Sequence, residues 1–172
     1  MIETERLKFR KLELDDLDTL YNFRQDPDVS KYLGGVPSRE KIEARLNWQI
    51  ENHKNLGIGM CVMMYKPEGD KIIGFSGIQP LEVAGEIEVG YTIDKEHWGL
   101  GIGSEACKGW LNYGFNQYGL DRIIAVAHPG NYGSTHIMEK CGMKYEKNIF
   151  AYEADCVMYA ISKDEFNALN KK

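Results

Sequence analysis

The chain has 172 residues, 43% of them hydrophobic and 27% charged, with a formal net charge of −5. That length fits a single domain over 1–172, because domains cluster near ~100–150 residues, and the apolar share is enough for a real core. The acidic balance argues against nucleic-acid binding, which needs basic surface, and suits a cationic partner such as an amine or plain solubility. The absence of a ~18-residue apolar run or an apolar signal core in "MIETERLKFRKLELDD" argues against a membrane span and for a cytoplasmic protein.

Residues 6–12, "RLKFRKL", alternate apolar and basic side chains at Leu7 and Phe9 and read as a strand. Asp15 is expected at the N-cap of a helix in which Leu17, Leu20 and Tyr21 fall at i, i+3 and i+4, and Pro27 ends it. Ser38 is expected to cap a second helix, striped by Ile42, Leu46 and Ile50 and closed by Gly57. Strands 58–66 and 71–81 flank the turn "PEGD". Strand 85–93 alternates, with Ile87, Val89, Tyr91 and Ile93 on one face and Glu86, Glu88, Gly90 and Thr92 on the other.

A glycine-rich stretch, "HWGLGIGSEA", leads into a helix over 103–117 marked by Cys107, Leu111 and Phe115 and stopped by Gly119. The apolar run 122–128 reads as a buried strand. Asn131 stands near the cap of a short helix, Gly142 just past its end, and "KYEKNIF" and "ADCVMYAIS" are two further strands. The order β-α-α-β-β-β-α-β-α-β-β predicts an α+β fold. Its sheet is mixed, seven-stranded and mostly antiparallel, 85–93 and 122–128 form one central parallel pair, and helices cover both faces.

Cys61, Cys107, Cys141 and Cys156 are far apart and sit among apolar neighbours, as buried core thiols do. His53, His97, His128 and His136 show no paired ligand spacing, so no metal is expected.

Gly99, Gly101 and Gly103 alternate at a strand-to-helix junction. Helix N-termini carry unpaired N–H groups and partial positive charge, and glycines let an anion approach them, so a phosphate-bearing ligand is expected. The plainer reading is a tight packed turn. Ser104-Glu105 follows Gly103 where a nucleotide-triphosphate loop needs Lys-Ser/Thr, and the G-x-G-x-G spacing departs from the dinucleotide pattern G-x-G-x-x-G.

"EVGYTIDKEHWGLGIGSEA", followed by "NYGSTHIMEKCGM", resembles the GNAT superfamily of acetyl-CoA-dependent N-acetyltransferases. Its loop is written Q/R-x-x-G-x-G/A. Gly101 and Gly103 stand at the last two fixed positions, and Trp98 departs from the first. "TERLKFRKLELDD" and the N-x-x-S and E-K-x-G patterns at 131–142 resemble the branch of the RimJ/RimL ribosomal-protein N-terminal acetyltransferases.

The resemblance implies an N-acetyltransferase, monomeric or homodimeric, that uses acetyl-CoA, releases CoA and acts on the amine of a protein N-terminus or small molecule. Backbone N–H groups of Gly99, Leu100, Gly101, Ile102, Gly103 and Ser104 would hold the pyrophosphate. Backbone groups of Tyr91, Thr92 and Ile93 would pair with the pantetheine amides. Trp98 would pack beside the cofactor. Asn131 would reach the pantetheine arm, serve as a plain helix cap, or both.

Direct transfer to an amine needs a base and benefits from an acid at the leaving thiolate. Glu88 is the first candidate base and Glu86 the second, a strand-face ion pair being the alternative for Glu88. The tyrosine that many members use as the acid is absent, since Met138 precedes Glu139-Lys140. Ser134 matches the serine of N-x-x-S, and the resemblance to the RimL-like branch implies that it assists the thiolate, the alternative being a hydroxyl bonded to its own helix, with Tyr132 as a backup. His97 and His128 flank the cleft and read first as solvated or structural. Trp48 and Tyr32 belong to the acceptor region. A reading from another class is a non-catalytic acyl-CoA-binding or regulatory module.

Overall fold

The computed structural model describes residues 2–170. The first strand, β1 (Leu7–Lys11), buries Leu7 and Phe9 and turns its basic side chains outward. The N-cap position of α1 (Leu17–Arg24) falls on Asp16 rather than on the expected Asp15, and it makes no side-chain cap hydrogen bond to that helix. Its carboxylate accepts the Glu13 N–H at 2.8 Å and takes both Arg10 terminal nitrogens at 2.7 Å, closing a 3-10 turn before α1. Pro27 does more than end that helix. Its fixed φ and missing N–H suit a first helical position, so it opens α2 (Pro27–Ser30), capped by Asp26. Ser38 and Gly57 bound α3 (Arg39–Leu56) as expected, with Gly57 left-handed at φ 75°.

The strands β2 (Gly59–Tyr65), β3 (Lys71–Leu81) and β4 (Glu86–Ile93) form an antiparallel meander. The next helix, α4 (Ile102–Tyr113), starts one residue earlier than expected and widens into a π turn over Gly114–Tyr118 before Gly119 stops it. Then come β5 (Arg122–Ala127), α5 (Tyr132–Lys140), β6 (Lys144–Ala151) and β7 (Ala154–Ser162). A last helix, α6 (Lys163–Asn170), is absent from the sequence-based expectation. Among its described side chains Phe166 alone is buried, too little to give a helical period.

The seven-stranded sheet runs β1-β2-β3-β4-β5-β7-β6, and β4–β5 is its parallel pair. One face packs α4, α5 and α6 through Ile102, Trp110, Leu111, Met138 and Phe166. The other packs α1 and α3 through Leu17, Leu20, Phe23 and Leu46 against Leu12, Val62 and Phe75. All four cysteines are free and buried.

The pairing of β4 decides where a ligand can enter. Along β3 it is paired from Glu86 to Ile93, but along β5 it is in register only at Glu88 with Ile124. Beyond that point β5 stays with β7 and the two central strands part. Their facing edges lose the ladder that would satisfy them. No helix of the described residues is long and apolar enough to cross a membrane.

Candidate active site

The glycine stretch follows the parted end of β4, and its three glycines answer two separate needs. Gly99 and Gly101 adopt φ 76° and 77°, a region that L side chains rarely enter. Gly103 is needed for packing: a Cβ there would lie 2.5 Å from Ile137 Cδ1, so its absence lets α4 approach α5. Gly101 is the N-cap of α4 and offers no side-chain cap. The N–H groups of Ile102, Gly103 and Ser104 are therefore the helix's orphan donors, and with the dipole they form an anion site.

A short network holds this loop from behind. Arg6 Nη1 donates to the Leu100 carbonyl at 2.9 Å, and its Nε donates to Glu105 at 2.6 Å. Glu105 also accepts from Thr4 Oγ1 and the Arg6 N–H. Burial pushes the Glu105 carboxyl up, but these hydrogen bonds outweigh it and hold its pKa below the usual range. The Trp98 indole donates to the Ile93 carbonyl at 2.9 Å. His97 is buried between Asp94 and Glu68, which hold its two ring nitrogens, and serves the turn rather than the cleft.

A cleft of about 410 Å³ opens where β4 and β5 part, on the α1–α3 side. Glu88, Tyr91, Thr92, Asn131 and Ser134 line it, whereas Ile93 and the stretch from Trp98 to Ser104 lie outside. The Asp94 N–H bonds Ile73 O, which sets the phase of the ladder. Antiparallel alternation then turns the N–H and C=O of Thr92 toward β3 and those of Tyr91 and Ile93 toward the open edge.

Among the described residues Glu88 is the only carboxylate lining the cleft, and it is 3% exposed. Burial pushes its pKa up to about 7, against the pull of a hydrogen bond from Gln79 and the charge of Arg45. Gln79 Nε2 donates to Glu88 Oε1 at 2.6 Å, and the Tyr152 hydroxyl donates to the same oxygen. On its other side Gln79 Oε1 accepts from Gln49 at 2.6 Å and from Arg45 at 3.0 Å. The turn that carries Tyr152 joins β6 to β7, and Tyr152 and Glu153 adopt φ 54° and 60°. Two successive left-handed residues make a type I′ turn, usually built from Asn and Gly. Such strain persists where surroundings over-determine it, and the hydroxyl's bonds to Glu88 and Gln79 do so here. Sequence reading missed Gln79, Arg45 and Tyr152; "YE" carries no turn signal, and only the two flanking strands hinted at a tight hairpin there.

Asn131 caps α5, accepting the Ser134 N–H at 3.2 Å. The Ser134 hydroxyl lies 3.2 Å from the Tyr91 hydroxyl, which donates to the Ser134 carbonyl at 3.0 Å. Burial pushes the Tyr91 phenol well above its ordinary pKa. Glu86 is paired to Arg122 at 2.6 Å and does not line the cleft, and Tyr132 is 78% exposed outside it. His128 and Tyr32 line the cleft as a stacked pair, while Trp48 stands behind Arg45 as a stacking platform.

Residues 6–144 match the family model described as an acetyltransferase (GNAT) domain. The chain is 33% identical over 171 residues to an uncharacterized N-acetyltransferase, p20, of Bacillus licheniformis, with 95% of this chain and 96% of that protein covered. A solved GNAT-family acetyltransferase from Bacillus anthracis is 30% identical, with a TM-score of 0.77 over 95% of this chain and 98% of that one. The ribosomal-protein-S5-alanine acetyltransferase from Vibrio fischeri, 24% identical with a TM-score of 0.72 over 95% and 97%, shares the fold. With a family model spanning most of its length, the chain belongs to the GNAT family of acetyltransferases.

Proposed function

We propose that the protein transfers an acetyl group from acetyl-CoA directly to a primary amine, with Glu88 as the base. The observation that carries this reading is the placement of Glu88, a buried carboxyl titrating at about 7, at the last register pair of β4 and β5. The residues present fit acetyl-CoA. The orphan amides of Ile102, Gly103 and Ser104 suit a pyrophosphate, and the open edge at Tyr91 and Ile93 suits an amide-bearing arm. When bound, the group supplies a thioester carbonyl that an amine can attack.

An ammonium ion is not a nucleophile, so Glu88 Oε takes the amine's proton directly or through water. A base is most effective when its pKa lies near the working pH. Ser134, at the N-terminal end of α5, would donate a hydrogen bond to the departing thiolate, where the helix dipole also favours negative charge, while the proton taken from the amine stays on Glu88 until it passes to the thiolate or to solvent. Trp98 packs beside the cofactor, and Asn131 both caps α5 and faces the pantetheine path. The N-x-x-S pattern at 131–134 and the fold shared with the S5-alanine enzyme support a RimJ/RimL-like protein N-terminus as acceptor, with small amines as the alternative.

Thermal unfolding with acetyl-CoA, NAD and ATP in parallel tests the ligand. At ~100 times its dissociation constant acetyl-CoA adds ~2.7 kcal/mol and a clear rise in melting temperature, and the other two leave it unmoved. A rise with NAD or ATP alone refutes the reading.

Gln79→Met tests the setting of the base. The Gln79 hydrogen bond favours the charged form of Glu88, so its loss raises the pKa further. The acid limb of the kcat/KM profile moves upward by about one to two pH units, since a hydrogen bond to a charged group contributes ~1.5–3 kcal/mol. An unmoved limb separates Gln79 from the titration.

A further inference from the structure

The chain contains six arginines. Four are paired with carboxylates: Arg6 with Glu105, Arg10 with Asp16, Arg39 with Asp18, and Arg122 with Glu86 and Glu146. The two without a carboxylate partner among the described residues, Arg24 and Arg45, both line the Glu88 cleft, and Lys41 lines it with them. Among the described residues, the cleft of an acidic protein thus holds three cationic side chains and one carboxyl, which burial shifts toward its neutral form.

Arg45 has no carboxylate bonded to it among the described residues; the charge of Glu88 reaches it only across Gln79. Its guanidinium lies 4.2 Å from the Trp48 ring centroid and 5.9 Å from that of Tyr152, and its one hydrogen bond goes to Gln79. An arginine has five N–H donors, so most of this fork is free to meet an acceptor. Arg24 is anchored through Ser30 Oγ and the Leu33 and Gly35 carbonyls, which leaves Nη1 open. Burial first, and the charge of Arg45 second, pull the Arg24 pKa below its ordinary value, so the two guanidinium groups are close enough to repel. Neighbouring cations in a partly desolvated cleft call for an anion between them, and the planar fork matches a carboxylate.

We propose that the acceptor is an anionic amine, whose amino group reaches Glu88 while a carboxylate on the same molecule docks on Arg45 and Arg24. This rests on the acetyltransferase reading above and narrows its substrate class. It reverses the expectation of a cationic acceptor from net charge, because the local field of the cleft is opposite in sign to that of the chain. Gln79 bonds Arg45 at 3.0 Å and Glu88 at 2.6 Å, so one amide group separates the cation from the base. Amine and carboxylate are therefore only a few bonds apart, as in a free amino acid or an acidic N-terminal residue of a peptide. A polyamine or aminoglycoside would bring further positive charge to three cations.

The test is release of CoA thiol from saturating acetyl-CoA with matched acceptors. Phenylalanine is compared with phenethylamine, and a C-terminally amidated peptide beginning Glu-Ala-Gly with its Gln-Ala-Gly counterpart; spermidine is the polycation. In at least one pair the carboxylate-bearing member has a kcat/KM higher by about tenfold or more, and the pair that shows it distinguishes a free amino acid from a peptide. Arg45→Ala lowers that ratio by raising KM for the carboxylate-bearing member more than for the neutral one, both compared above the acid limb because Arg45 also acts on Glu88, and Arg45→Lys restores part of it. Preference for the neutral partners or spermidine, or equal loss for both members in Arg45→Ala, overturns the proposal while leaving acetyl transfer standing. Acetyl-CoA binding, seen as a thermal shift, without transfer to any of the five also overturns it. Neither a shift nor transfer overturns the acetyltransferase reading and this proposal together.

Discussion

Glu88→Gln lowers kcat by about a hundredfold or more, the contribution of a positioned general base. The substitution keeps the volume and an oxygen to accept from Gln79, so the cleft and the α4 amides stay as they are. Acetyl-CoA still raises the melting temperature by the wild-type amount. The pH dependence identifies the group. Wild-type kcat/KM falls as pH drops below about 7, because the buried carboxyl then holds its proton, and the variant has no such limb. Stability supplies a second readout with its own sign. A carboxyl raised from ~4.3 unfolded to about 7 folded contributes stability at low pH that is lost as pH rises through that window. At pH 8 the Gln variant is therefore the more stable protein, by at most ~4 kcal/mol. Unchanged turnover across the pH range would remove Glu88 from the reaction.

Gly101→Val abolishes the acetyl-CoA-dependent thermal shift and with it all detectable transfer. The residue adopts φ 77°, where any L side chain costs ~1–2 kcal/mol and a β-branched one more. A Cβ there has room, its nearest neighbour being Arg6 Nη2 at 3.7 Å. The harm therefore falls on the backbone turn and on access to the free amides of Ile102, Gly103 and Ser104. Gly103→Ala separates the two uses of glycine in this loop. Its Cβ would meet Ile137 Cδ1 at 2.5 Å, so the first cost is to the packing of α4 on α5, read as a lower melting temperature without ligand. Tight CoA binding by Gly101→Val would refute the assignment of the loop.

The sequence by itself determined the features that rest on short-range pattern. Strict alternation in 86–93 placed Glu88 opposite the apolar face, Gly57 and Gly119 marked helix ends, and the crossover through α4 required a parallel β4–β5 pair. These were legible because side-chain period, turn chemistry and strand handedness act within a few residues or through one connection. The glycine loop and Asn131 cap were legible for the same reason.

Tertiary structure decided which chemically equivalent groups have partners. Asp15 and Asp16 are alike in sequence, but only Asp16 meets Arg10. Glu86 and Glu88 share a strand face, yet one ends on Arg122 at the surface and the other in a buried cleft. The elements of the Glu88 network come from β3, α3 and the β6–β7 turn, with Tyr152 lying 64 positions away in the chain. Arg45 and Arg24 look no different in sequence from the four arginines that have carboxylate partners. Burial and pairing are properties of neighbours brought together by packing, so neither composition nor spacing carried them, and the sign of the cleft's charge became visible only once the chain had folded.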